Sequence, residues 1–305
     1  MRIFLCLTLC LQALSVLAQD DLEKARKAAQ SNDYKTCLQL LETSTEMRDG
    51  EFWSLSGACW LSKAIDTEKQ AAYDTAIAHL YRAIKLDTAD ALAYSNLATA
   101  IYYKMGREQD KAEMETALAY YDLALEANPY LRLAILNRSI LLRNLGYFDE
   151  SVANLNVLIA DDPDNAIMYL QRARTYAKAT AHRTAINDYL KAIDIDSTLA
   201  PAYLEAGESY AWLGFYPRAK ELQFEAMEID PKAADRAYFN LARFEIVSEN
   251  DALAAKYLKK ARKGLYAKTR TCDELLDDWF LFEDSDHPKW NKQLEKLMGP
   301  CVVSD

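Results

Sequence analysis

Small residues recur along this chain in a fixed rhythm. Ala76, Ala117, Ser151, Ala185, Ala219 and Ala254 are each followed seven positions on by Ala83, Ala124, Leu158, Ala192, Ala226 and Ala261. Upstream of each pair stands another small residue, at Gly57, Ala98, Ser139, Ala173, Gly207 and Ala242. Each of these comes four positions after a large one, at Trp53, Tyr94, Ile135, Tyr169, Tyr203 and Tyr238. Spacings of four and seven keep residues on one face of an α-helix. Asn128-Pro129, Asp162-Pro163 and Asp230-Pro231 close their periods, where Pro stops one helix before the next begins. The pattern predicts helix, turn, helix, turn, over and over. Small residues let the two helices of a hairpin approach closely, and large ones fill the gaps between hairpins.

This grammar resembles the tetratricopeptide repeat family, whose unit is a 34-residue helix–turn–helix with small residues at positions 8, 20 and 27 and often Pro at 32. The resemblance covers most of residues 20–265. It implies an all-α fold: a right-handed superhelical solenoid of about seven hairpins, in which stacking buries the apolar face that no unit buries alone. Two periods depart from the family. Trp53 to Tyr94 and Tyr94 to Ile135 are 41 residues each, against 34 for Ile135 to Tyr169 and Tyr169 to Tyr203. Seven extra residues make about two helical turns, so these two units are expected to have longer helices with polar tips at 66–70 and 106–111. Residues 20–50 read as a degenerate first unit.

Composition agrees with helices packed on helices. Only 8 Gly and 7 Pro among 305 residues disfavour the turn-rich all-β folds, and 51% hydrophobic residues suffice for a large core. A net charge of −10 repels phosphate backbones, which argues against a nucleic-acid partner. Residues 1–18 combine one basic residue, an apolar run and Val16-Leu17-Ala18, the pattern of a cleavable secretory signal. The run is shorter than the roughly 20 residues a bilayer needs, and no later stretch is apolar enough, so the mature chain is expected to carry no membrane span. The expected organisation is a signal peptide over 1–18, a repeat array over 19–271 and a C-terminal capping segment over 272–305, in an exported protein, periplasmic or secreted.

Candidate chemistry is sparse. His79, His182 and His287 stand far apart and lie in no metal or catalytic frame, so His79 and His182 read as exposed or satisfied helix histidines. Asp161-Asp-Pro-Asp-Asn165 lacks the Gly and the closing Glu of a calcium loop and reads as an inter-repeat turn with a helix N-cap. No catalytic residue, metal site or cofactor is expected. Four cysteines follow the signal. Cys37 and Cys59 fall on neighbouring helices, while Cys272 and Cys301 bracket the tail and are expected to form a disulfide tethering the cap.

The function expected is that of a non-catalytic scaffold holding a partner protein or peptide. In the family resembled, positions 2, 5, 9 and 12 of the first helix line the concave groove. Here they give Leu92, Ser95, Tyr102, Leu133, Leu136, Ile140, Arg143, Ile167, Leu170, Arg174, Leu204, Phe239 and Arg243 as the binding set. A stripe of Leu and Ile rimmed by Arg143, Arg174 and Arg243 fits a segment with apolar anchors and acidic flanks; the alternative is that these residues pack between hairpins. The competing functions are a permanent structural subunit of an envelope secretion or assembly complex, and an enzyme with its site around Asp284, Asp286 and His287.

Overall fold

The protein is described from a computed structural model, over residues 21–43, 49–106 and 110–261. All regular structure among them is helical. They fall into two compact units, one up to Glu150 and one from Ser151 onward.

The first unit contains α1 over 21–30, α2 (Tyr34–Thr43), α3 (Gly50–Thr67), α4 (Gln70–Leu86), α5 (Ala91–Lys104), α6 (Lys111–Ala127) and α7 (Arg132–Leu145). Helices α3 and α4 form one hairpin and α5 and α6 the next, and the first helices α3, α5 and α7 touch in order. The boundary falls in the first turn of α8 (Phe148–Asp161), and the second unit continues through α9 (Ala166–Lys178), α10 (His182–Ile195), α11 (Ala200–Trp212) and α12 (Tyr216–Ile229). A 3-10 turn, Pro231–Ala233, leads to α13 (Ala234–Val247) and α14 (Asp251–Ala261). Its hairpins are α9/α10, α11/α12 and α13/α14, and α11 touches both α9 and α13.

The small residues behave as their rhythm predicts. Ala76, Ala117, Ser151, Ala185, Ala219 and Ala254 are fully buried. So are Ala98, Ser139, Ala173 and Ala242. A methyl group on Gly57 would lie 2.5 Å from Leu80 Cγ of the paired helix, so only hydrogen fits at that crossing. Four links between hairpins share one device. Asp87, Asn128, Asp196 and Asp230 each accept, through the side chain, the backbone N–H two residues on, at Ala89, Tyr130, Thr198 and Lys232.

The two long periods resolve differently. In the first, α3 and α4 reach 18 and 17 residues, joined by a tight link with Glu68 in the left-handed region at φ 52°. In the second, α5 keeps 14 residues, the length of α7, while α6 has 17. Gly106, at φ 59°, turns the chain out of α5, and Asp110 caps α6 by accepting from the N–H groups of Ala112 and Glu113. The expected lengthening of both helices therefore fails for α5, because glycine in a left-handed conformation ends it. The expected signal peptide, the capping segment and Cys272–Cys301 lie outside the described residues, as do Asp284, Asp286 and His287. Inside them Cys37 and Cys59 are joined in a disulfide, 22 residues apart in sequence, which ties α2 to α3.

Candidate binding faces

On the first unit, the first helices present Leu92 of α5 and Leu133 of α7 at the same repeat position, 56% and 67% exposed. Leu136, Ile140 and Arg143 are half-buried along α7. Ser95 is buried, and its carbonyl accepts from Thr99 Oγ1, which also meets Tyr121 Oη at 2.8 Å. Tyr102 accepts a 2.6 Å hydrogen bond from Asn144 Nδ2, so α5 and α7 are linked by polar groups on this face. Burial raises the Tyr102 pKa, and the Asn144 bond and Arg143 charge oppose that. Tyr102 therefore stays a neutral hydrogen-bonding group in the physiological range.

The second unit builds its first-helix face from ions. Arg174 of α9 grips Glu205 of α11 side-on, with Nε and Nη2 donating to the two carboxylate oxygens at 2.7 and 2.8 Å. Arg236 of α13 donates to Glu208 Oε1 at 2.9 Å through Nη2 and at 3.2 Å through Nε, and reaches Glu205 Oε1 at 3.4 Å. Asn240 donates through Nδ2 to Glu208 Oε1 at 2.8 Å and to Gln223 Oε1 at 3.0 Å. Gln223 in turn donates to the Leu204 carbonyl, and Arg243 Nη1 to Asn240 Oδ1. Burial works to raise the Glu208 pKa; the charges of Arg236 and Arg243 and the Asn240 bond outweigh it and hold the carboxyl below its usual range. The network thus links three successive first helices with Glu208 ionised.

The predicted binding set divides accordingly. Leu92, Leu133 and Ile167 are exposed; Tyr102, Leu136, Ile140, Arg143 and Arg174 are half-buried; Ser95, Leu170, Leu204, Phe239 and Arg243 are buried. A solvated stripe of Leu along the second unit is therefore not present. Leu170 and Leu204 belong to the apolar core of that unit, among Tyr189, Tyr203 and Leu222, because stacking covers this edge of the helix. Arg243 is part of the buried network rather than a rim. Sequence reasoning did not place Glu205, Glu208, Arg236, Asn240 and Gln223 in a network. For the first-helix members the signal was the recurrence of charged or amide residues on neighbouring first helices; Gln223, on α12, left no such signal.

Other polar groups are local. Between α2, α3 and α4 a cleft of about 220 Å³ is lined by Leu38, Leu41, Glu42, Phe52, Trp53, Ser56, Trp60 and His79. His79 Nδ1 lies 3.0 Å from Ser56 Oγ, and the His79 ring meets Trp53 edge to face. His182, expected exposed or satisfied, is buried and stacked on Trp212. Its Nδ1 is 3.4 Å from Ser209 Oγ, while Nε2 has no hydrogen-bond partner, and burial lowers its pKa. The acidic segment 161–165 is a turn, as expected: Asn165 donates to Asp162 through side chain and backbone, but its side chain does not cap α9. Among the described residues no group of three His, Cys, Asp or Glu converges as a metal site, and no helix is long and apolar enough to cross a membrane.

No family model matches the chain. A stretch of 51 residues is 43% identical to an uncharacterized protein of Methanocaldococcus jannaschii; it makes up 16% of this chain and spans 59% of the length of that protein. Solved structures align over far more. A tetratricopeptide repeat protein from Parabacteroides merdae is 15% identical, with 87% of this chain and 98% of that one covered at a TM-score of 0.62. PilW, described as a widely conserved type IV pilus biogenesis factor, is 19% identical over 70% of this chain and 94% of its own, at 0.58. PilF of Pseudomonas aeruginosa is 15% identical over 68% and 90%, at 0.53. The chain has the tetratricopeptide-repeat fold.

Proposed function

We propose that this chain, a tetratricopeptide-type array by fold, is an exported, non-catalytic scaffold that binds a partner protein or peptide on its first-helix faces. The observation that carries the reading is the pair Leu92 and Leu133. Two leucines at one repeat position of adjacent first helices remain more than half exposed, while the neighbouring small positions are fully buried. Exposed leucines in register offer anchors for an apolar segment. On the second unit the partly exposed Arg174 and Arg236, held in place by the buried carboxylate of Glu205, suit acidic groups of a partner.

Export is supported by the signal pattern of residues 1–18 and by the Cys37–Cys59 disulfide, since such bonds persist in oxidising compartments. A fold shared with PilW, itself a pilus biogenesis factor, favours an envelope setting and keeps a permanent assembly subunit as the second reading. Stoichiometric co-purification at high salt supports the subunit, and exchange on dilution supports the scaffold. The test of the face is Leu92→Glu with Leu133→Glu, compared with Val157→Glu on a second helix, 58% exposed. Binding to the partner recovered with the native protein should be lost in the first variant and kept in the second, with circular dichroism unchanged in both. Binding that survives the leucine substitutions removes these helices as the site.

A further inference from the structure

We propose that Tyr81 of α4 and Tyr120 of α6 form a site of intramolecular oxidative cross-linking, a dityrosine bond joining two successive hairpins of the first unit. Their rings meet edge to face with centroids 6.1 Å apart, and Tyr120 Oη donates to Tyr81 Oη at 3.3 Å. The carbons that couple in a dityrosine are those beside the hydroxyl-bearing carbon. Two phenols whose oxygens touch therefore hold those carbons at the meeting point of the rings. Tyr81 is 46% exposed, so an oxidant can reach the pair.

Other tyrosine pairs lack one of these features. Tyr94 stacks on Tyr120 nearly face to face, with planes 22° apart and centroids at 6.4 Å. Tyr238 and Tyr257 stack similarly at 20°. Tyr102 and Tyr103 are neighbours in sequence and would join nothing. Among the described residues only Tyr81 and Tyr120 share a phenol–phenol hydrogen bond.

The chemistry balances with hydrogen peroxide as oxidant and a haem peroxidase as its catalyst. Each phenol gives up one electron and its hydroxyl proton, leaving two phenoxyl radicals. The radicals pair to form one carbon–carbon bond, and the hydrogen on each coupled carbon moves to its phenol oxygen as the rings regain aromaticity. The two electrons and two protons reduce one peroxide to two waters, so the protein loses two hydrogens. The product would fasten α4 to α6 as Cys37–Cys59 fastens α2 to α3, and that disulfide is itself a bond that persists in oxidising compartments.

The experiment treats dilute full-length protein with a haem peroxidase and limiting hydrogen peroxide, then reads dityrosine fluorescence, intact mass and the cross-linked peptides. The expected result is a monomer lighter by two hydrogens, with one peptide pair joining Tyr81 to Tyr120. Tyr81→Phe and Tyr120→Phe should each lose that species, and Tyr94→Phe should keep it. Phenylalanine retains the ring packing, and circular dichroism verifies the fold of each variant. The proposal is overturned if dityrosine forms only between chains, if it maps to other tyrosines, or if Tyr130, 86% exposed, is oxidised while no Tyr81–Tyr120 product forms.

Discussion

Replacing Gly207 with alanine sets helix propensity against packing, and the structure says which wins. Gly207 lies inside α11, where alanine is favoured over glycine by about 0.8–1 kcal/mol. The added methyl would sit 2.9 Å from the Ala219 carbonyl oxygen of α12 and against the Gln223 amide nitrogen. Ala219 is backbone and can yield only if α12 moves away. Gln223 can yield by rotating, at the loss of its bonds to the Leu204 carbonyl and to Asn240, each worth about 1 kcal/mol. Overpacking of this kind costs about 1–3 kcal/mol. Adding the two lost bonds to the overpacking and subtracting the propensity gain leaves a net loss of about 2–4 kcal/mol. Urea denaturation followed by circular dichroism should show a lowered midpoint, and hydrogen exchange should place the loss in α11 and α12. In a Gln223→Ala background the cost of Gly207→Ala should shrink without vanishing, because the Ala219 carbonyl remains. A Gly207→Ala protein as stable as the parent would refute the close approach of α11 and α12 as the reason for glycine.

Three further outcomes follow from single interactions. Reducing Cys37–Cys59, or replacing both with alanine, should destabilise the first hairpins by about 3 kcal/mol on the chain-entropy relation for a loop of this size; urea titration with and without reductant measures it. Burial lowers the His182 pKa, so below about pH 6.5 the unfolded chain takes up a proton that the folded one resists. Stability should therefore fall as pH drops through that value and level off below the folded pKa, and His182→Phe should flatten the slope of melting temperature between about pH 7.5 and 5. Arg174→Met should cost about 2 kcal/mol by leaving Glu205 with only the long Arg236 contact, and adding Glu205→Leu should recover part of the loss, read as a double-mutant cycle on urea midpoints.

How far the sequence reveals this molecule depends on how local each determinant is. The crossing points were legible because a steric limit acts at a single position: only a small side chain fits where Gly57 meets Leu80 or where Ala117 and Ala219 lie fully buried, so the residue type reports the contact. The turn after α5 was not, because the extra residues of that period read equally as helix until Gly106 adopts its left-handed conformation. The binding face was legible only in part, for a related reason. The expected groove set is apolar at several positions, and identity alone does not say which of them is covered: Leu133, at the second position of its repeat, is exposed, while Leu170 and Leu204, at the fifth, are buried. What separates them is the edge of the first helix on which they stand, and which edge is covered is decided by the stacking of neighbouring hairpins. The ionic face shows the same thing from the polar side. Arg174 and Glu205 are 31 residues apart, and Arg236 is 31 beyond Glu205, so no local window contains the network. One repeat period brings them together, and the near-constant interval between charge and countercharge is the trace it leaves. A repeat fold thus encodes its core one position at a time and its surface one period at a time. Charges set about one period apart on first helices are therefore the feature from which such a face is read in advance.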